Sequence, residues 1–135
     1  MKEPRPETPA THSFSVAGRL RSFGYAISGI GRMIRGQHNA WIHSVATLLV
    51  LAAAAWLGLS RGDWCWIILA IALVWIAEAF NTTIECLADA ISKEFHPLVR
   101  DAKDIAAGAV LIAAIASAVI GLIIFLPYLE RHFAS

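Results

Sequence analysis

The sequence predicts an all-α integral membrane protein with an N-terminal amphipathic surface helix followed by three transmembrane helices. Of its 135 residues, 58% are hydrophobic and only 16% are charged, against about 25% charged residues in an average soluble domain. The mean hydropathy is +0.63, and stretches without Asp, Glu, Lys, Arg or His occupy 44–60, 64–77 and 105–129. Because a transmembrane helix needs about 20 predominantly apolar residues, this pattern excludes a disordered chain and disfavours a soluble globular one.

The N-terminal region divides into a tail and a surface helix. Residues 1–13 are polar and rich in Pro and Thr, which predicts a disordered tail without the apolar core of a secretory signal peptide. At 14–36, apolar residues recur at steps of three and four, and a basic face lies beside them. The apolar stripe consists of Leu20, Phe23, Ile27, Ile30 and Ile34. A basic amphipathic helix of this kind is typical of a segment that lies in the plane of the lipid headgroups.

Three spans follow, at about 41–59, 64–91 and 103–126. Tryptophans flank the short polar turn between the first two spans, as in the aromatic belts of membrane proteins. The third span is rich in Ala and Gly, which predicts close packing against neighbouring helices. We expect Pro127 to end it, so that the folded domain covers 14–128 and residues 129–135 form a C-terminal tail.

The distribution of Lys and Arg predicts the orientation. Residues 1–40 carry six of them and residues 92–104 carry three, whereas the 60–63 turn and the C-terminal tail carry one each. Because cytoplasmic loops are enriched in Lys and Arg, we expect a cytoplasmic N-terminus, a cytoplasmic 92–104 loop and an external C-terminus. The net charge of only +1 gives no indication of a nucleic-acid partner.

The second half of the second span carries a stripe of polar side chains. At 100° per residue the stripe occupies one helix face about 100° wide. Its members are Glu78, Asn81, Thr82, Glu85 and Asp89. Because an ionisable residue costs about 3 kcal/mol or more at the bilayer centre, three carboxylates on one face indicate a function rather than helix packing alone.

The depth of the stripe suggests two possible functions. Glu78 lies about 10 Å deeper than Glu85, from seven residues at 1.5 Å each. A deep carboxylate can accept a proton from a lipid hydroxyl, and one nearer the cytosol can hold a divalent cation together with phosphate oxygens. A proton or ion pathway also uses carboxylates aligned along a helix, so a non-enzymatic membrane protein, whether a pathway or a structural homo-oligomer, stays open as the alternative. No phosphate-binding motif of soluble nucleotide-binding folds is present.

Three segments together resemble a known family. They are EAFNTTIECLAD at 78–89, EFHP at 94–97 and AKDIAAGAV at 102–110. The combination is similar to the prokaryotic diacylglycerol kinase and undecaprenol kinase family, over about residues 14–128. The resemblance implies a lipid kinase of the bacterial inner membrane that uses ATP and Mg²⁺ to phosphorylate diacylglycerol or undecaprenol. It also implies a homotrimer with active sites between protomers.

Transferred position by position, the resemblance implies a role for each site residue. Glu78 corresponds to the catalytic base, with Asn81 as its polar neighbour, and Glu85 to a ligand of Mg²⁺. The positions that correspond to nucleotide-binding residues are Tyr25, Glu94, Phe95, His96, Lys103 and Asp104.

Two positions depart from the family pattern. Gln37 stands where the family commonly has a second metal-binding Glu, and we expect its amide oxygen to ligate Mg²⁺. Gly18 stands where a nucleotide-contacting Arg is common, so that Arg19 or Arg21 is expected to take over this contact.

Overall fold

The computed structural model describes residues 15–91 and 95–134, and these residues form α-helices without any β-strand. The helices are α1 (Val16–Gly36), α2 (His38–Trp56), α3 (Arg61–Ile91) and α4 (Pro97–Phe133). The last three are long and apolar enough to cross a membrane, which confirms the predicted class. The tail predicted at 1–13 and the site candidate Glu94 lie outside the described residues.

Helix α1 has little contact with the remainder of the protein. Ser15 caps it by accepting a hydrogen bond of 3.2 Å from the Gly18 backbone N–H. Its apolar residues Leu20 and Phe23 are both 67% exposed, and Met33 in the last turns is its buried residue. An amphipathic helix with an uncovered apolar face and a basic face has the properties of a helix that lies on a membrane surface.

The connection between α2 and α3 is attached to the far end of α4. Gly58 adopts a positive φ of 64° that lets the chain reverse there. The Tyr128 hydroxyl of α4 accepts a hydrogen bond of 3.0 Å from the Ser60 backbone N–H and donates one of 2.7 Å to Asp63. Below this turn lies a small apolar core, formed by Ala54, Leu59, Ile67 and Ile124.

Helices α3 and α4 pack along each other and extend beyond the thickness of a bilayer. Their 31 and 37 residues extend over roughly 46 and 55 Å at 1.5 Å per residue, against a hydrocarbon core of about 30 Å. The Ser117 hydroxyl of α4 donates to the Ala70 carbonyl of α3 at 2.9 Å. The indole N–H of Trp75 joins α3 to α2 by donating to Thr47 at 3.1 Å. Each of these two helices is therefore longer than a bilayer core is thick.

Several predicted boundaries were wrong. Pro127 does not end the third span: α4 continues through it to Phe133. Proline removes one backbone hydrogen bond, but transmembrane helices tolerate this loss when other groups satisfy the freed carbonyl. At the other end, α4 begins already at Pro97, which stands at the favourable first helical position. The predicted 92–104 loop is therefore largely the first part of this helix.

Candidate active site

The polar face of α3 includes an ionisable group that is fully enclosed by protein. Glu78 has an exposed fraction of 0% and Asn81 one of 3%. Both carboxylate oxygens of Glu78, Oδ1 of Asn81 and Oγ1 of Thr82 are buried without a hydrogen-bond partner in the described part of the chain. Because a buried polar group without a partner is unfavourable by about 1–3 kcal/mol, this cluster has the character of a site that acquires partners during function.

His43 of α2 lies close to Glu78. Its Nε2 lies 4.0 Å from Oε2 of Glu78, and the histidine side chain is 17% exposed. Sequence analysis missed His43, which stands immediately before the first uncharged stretch. The available signal was weak: a titratable side chain at the edge of a membrane span is a candidate functional residue, but only the packing of α2 on α3 shows that it meets Glu78.

Glu85 lies about two helical turns after Glu78 in α3, and its carboxylate accepts hydrogen bonds from two side-chain amides. Asn81 donates its Nδ2 hydrogen to Oε1 of Glu85 at 3.1 Å. Gln37, at the junction of α1 and α2, donates its Nε2 hydrogen to Oε2 at 2.9 Å. The structure thus brings Gln37 to two members of the polar stripe, although Gln37 is 48 residues away from Glu85 along the chain.

The composition of this cluster fits a weakly coordinated Mg²⁺. The described residues contain no group of three or more His, Cys, Asp and Glu side chains that could hold a metal ion. Mg²⁺ is often held by only one or two carboxylates together with substrate phosphates and water. Glu85 supplies a carboxylate, and the Gln37 amide can present its oxygen instead of its nitrogen after a half-turn about its last bond.

The candidate nucleotide-binding residues lie mostly on exposed surfaces. Lys103 of α4 makes an ion pair of 3.1 Å with Asp89 of α3, and Asp104 makes one of 3.6 Å with Arg100. The other described candidates are exposed: Arg19, Arg21 and Tyr25 on α1, and Phe95 and His96 before α4. Glu85 bonds to Asn81 and Gln37, whereas Lys103 and Asp104 pair with Asp89 and Arg100.

An apolar cleft adjoins the enclosed carboxylate. It lies between α2, α3 and α4 and has a volume of about 510 Å³, within the usual range for ligand pockets. His43 lines one part of it, and the other lining residues are almost all apolar, including Val74, Phe125 and Leu126. Glu78 itself does not line the cleft, but His43 both lines it and lies 4.0 Å from Glu78.

Comparison with known proteins identifies the family. The sequence profile of the family described as prokaryotic diacylglycerol kinase matches residues 24–125. The chain is 41% identical over 110 residues to the undecaprenol kinase of Bacillus subtilis, and the aligned region covers 82% of this chain and 89% of that protein. It is 39% identical over 109 residues to a diacylglycerol kinase of Synechocystis, covering 80% of this chain and 62% of that protein. It is also 33% identical over 111 residues to a diacylglycerol kinase of Escherichia coli, covering 77% of this chain and 91% of that protein. The resemblance inferred from the three motifs is thereby confirmed: the chain belongs to the prokaryotic diacylglycerol kinase family.

Proposed function

We propose that this chain is a lipid kinase that transfers the γ-phosphoryl group of ATP to the hydroxyl of a membrane lipid, with Mg²⁺ as the accompanying metal. The observation that carries the proposal is the pair of carboxylates on α3. Glu78 is enclosed without a hydrogen-bond partner, and Glu85 lies about 10 Å nearer the aqueous end. This arrangement suits a reaction that joins an acceptor in the membrane to a donor in water, and the family of the chain supports it.

In this reaction Glu78 accepts the proton of the acceptor hydroxyl. Glu85 and Gln37 hold the Mg²⁺ that accompanies ATP, and Asn81 fixes the orientation of Glu85 through its hydrogen bond. Mg²⁺, when bound, neutralises charge on the phosphate oxygens. The nucleotide itself contacts residues of α1 and residues in or just before the first turns of α4. These are Arg19, Arg21, Tyr25, Glu94, Phe95, His96, Lys103 and Asp104.

The names of the relatives point to two possible acceptor lipids. One relative is named an undecaprenol kinase, and others are named diacylglycerol kinases. The segment AKDIAAGAV and the His-Pro pair at 96–97 are similar to the undecaprenol-type branch. We therefore propose undecaprenol as the preferred acceptor. Purified protein in mixed micelles with Mg²⁺ and γ-labelled ATP is given each lipid in turn. A higher kcat/KM for undecaprenol supports this acceptor, and a higher value for diacylglycerol overturns it.

We further propose that the chain lies in the bacterial inner membrane with a cytoplasmic N-terminus and works as a homotrimer. The surplus of Lys and Arg in 1–40 and 92–104 supports this orientation. The Tyr25 side chain of α1 is 73% exposed, which leaves room for a second protomer to complete the site. Single cysteines introduced at Arg61 and Leu98, in a Cys65→Ser, Cys86→Ser background, test the orientation with a membrane-impermeant thiol reagent. Labelling of Leu98→Cys from outside intact cells would contradict it, and light scattering in detergent measures the number of protomers.

A further inference from the structure

In the described part of the chain, three polar side-chain contacts join α3 to α2 and to the residue before α2. They are Gln37 with Glu85 at 2.9 Å, His43 with Glu78 at 4.0 Å and Thr47 with Trp75 at 3.1 Å. Gln37 precedes Thr47 by ten residues, and Trp75 precedes Glu85 by ten residues. The contacts therefore advance in step along two antiparallel helices, over about 15 Å at 1.5 Å per residue, and they define a single register of α2 on α3.

The contact between Trp75 and Thr47 lies away from the ends of the two helices. Trp75 follows Trp64, at the α2–α3 turn, by eleven residues. This is roughly 16 Å along α3, close to the middle of a hydrocarbon core about 30 Å thick. Tryptophans are enriched at the membrane interfaces, whereas an indole N–H in the hydrocarbon core depends on a protein partner because water is absent there. The hydroxyl of Thr47 is that partner.

This dependence makes the hydrogen bond a determinant of the register. A shift of α2 by one residue moves its side chains by about 1.5 Å along the axis and rotates them by about 100°, so the indole N–H would lose its acceptor. His43 is one helical turn before Thr47 on α2, and it would move with it. Glu78 is likewise one turn after Trp75 on α3. A change of register at the hydrogen bond therefore separates the imidazole from the Glu78 carboxylate.

We propose that Trp75 and Thr47 are positioning residues of the kinase, whose hydrogen bond holds α2 in the register that places its polar side chains at the two carboxylates of α3. The inference rests on the proposed lipid kinase activity. Glu78 accepts the proton of the acceptor hydroxyl directly, and the hydrogen bond sets where α2 lies beside it. Because a displacement of about 1 Å can lower a rate about 100-fold, a contact one helical turn from the base is close enough to control kcat.

Kinetics of the whole protein in lipid micelles test the hydrogen bond. Thr47→Val keeps the shape of the side chain but removes the acceptor. It is expected to lower kcat at least about 10-fold and to raise the Mg²⁺ concentration for half-maximal rate. Thr47→Ser keeps the hydroxyl and is expected to have a kcat close to that of wild type. Trp75→Phe removes the donor and is expected to lower kcat as Thr47→Val does. Because both variants remove the same bond, the double variant is expected to be no slower than the slower single variant.

Two controls separate positioning from stability. Trp66→Phe makes the same substitution on the same helix, at a residue that is 59% exposed. Tyr128→Phe removes the two hydrogen bonds that attach α4 to the α2–α3 connection, and it is expected to lower Tm. Both control variants are expected to keep the wild-type kcat and the wild-type Mg²⁺ dependence.

The Mg²⁺ dependence tests whether the hydrogen bond acts through the register of α2. Gln37→Ala removes the side chain that this register brings to Glu85, so Thr47→Val is expected to cause no further rise in half-saturating Mg²⁺ in that background. A further rise there would overturn the positioning role. So would a wild-type kcat in folded Thr47→Val and Trp75→Phe, a Thr47→Ser variant as slow as Thr47→Val, or an equal loss of kcat in Tyr128→Phe. A wild-type protein that phosphorylates no lipid would instead overturn the proposed function.

Discussion

Gln37 and Glu85 are joined by a hydrogen bond of 2.9 Å that links the α1–α2 junction to the membrane helix α3. Asn81 donates to the other carboxylate oxygen of Glu85 at 3.1 Å. Both oxygens are therefore held by neutral amides, which keeps the carboxylate in place without a second negative charge beside it. A cation at this position meets a single carboxylate. Its electrostatic attraction to the site is therefore weaker than it would be with a second carboxylate in place of Gln37.

Replacing Gln37 with Glu is expected to lower the Mg²⁺ concentration for half-maximal rate. The change places two carboxylates side by side, so their repulsion destabilises the protein without Mg²⁺ and favours cation binding. Rates measured against free Mg²⁺ at fixed ATP check the first effect, and Tm with and without Mg²⁺ checks the second. An unchanged Mg²⁺ dependence in a folded Gln37→Glu protein would falsify a metal role for this position.

Substitutions of the two carboxylates of α3 are expected to affect different kinetic parameters. Glu78→Gln removes the proposed proton acceptor and is expected to lower kcat by about 100- to 10,000-fold, with ATP binding intact. Glu85→Gln removes the anionic ligand of Mg²⁺ and is expected to raise the KM for Mg²⁺-ATP, with partial recovery at high Mg²⁺. Measurements of ATP binding and of kcat on both variants test whether the two residues have separate roles. An equal loss of ATP binding in both variants would argue against separate roles.

Lys103 and Asp89 form an ion pair whose members can be tested separately. An exposed pair of this kind contributes at most about 1 kcal/mol to stability, so Lys103→Met is expected to fold. If Lys103 binds phosphate, this variant raises the KM for ATP by 10-fold or so, as expected for the loss of about 1.4 kcal/mol of binding. Asp89→Asn is the control, because it removes the partner of Lys103 and leaves the lysine. A similar rise in KM in both variants would mean that the ion pair, rather than contact with ATP, is what matters.

The chain's two tyrosines allow a matched comparison of stability and activity. Tyr128→Phe removes the hydroxyl that joins Ser60 and Asp63 to α4, and it is expected to lower Tm by a few degrees without changing kcat. Tyr25→Phe alters an exposed residue of α1 and is expected to keep Tm while raising the KM for ATP. Thermal unfolding in detergent measures Tm, and steady-state kinetics measure kcat and the KM for ATP. A lowered Tm in Tyr25→Phe together with a raised KM for ATP in Tyr128→Phe would contradict the proposed roles.

The polar face of α3 could be predicted from the sequence because it depends only on helix geometry. The 3.6-residue repeat is sufficient to place Glu78, Asn81 and Glu85 on one side, and the structure connects the last two by a hydrogen bond. The three apolar spans were likewise predictable from composition and length. Their ends were less so, because Pro127 acts as a helix terminator in water but is accommodated within α4.

Contacts between helices could not be predicted from the sequence. Nothing in the residues around His43 indicates that it faces Glu78, since that depends on how α2 packs against α3. The ion pair of Lys103 with Asp89 likewise depends on where α4 passes the end of α3. The resemblance to the family selected Gln37 as a substitute ligand, but only the fold shows that its amide reaches Glu85.

The central claim is that the enclosed carboxylate of α3 serves phosphoryl transfer to a membrane lipid rather than ion movement. Purified wild type and Glu78→Gln, reconstituted in vesicles that contain the acceptor lipid, are compared for the phosphorylated lipid formed from γ-labelled ATP and for ion flux. We predict one phosphorylated lipid per ADP released by wild type, almost none by Glu78→Gln, and no ion flux in either. Ion flux that Glu78→Gln abolishes, with no labelled lipid from wild type, would contradict the account.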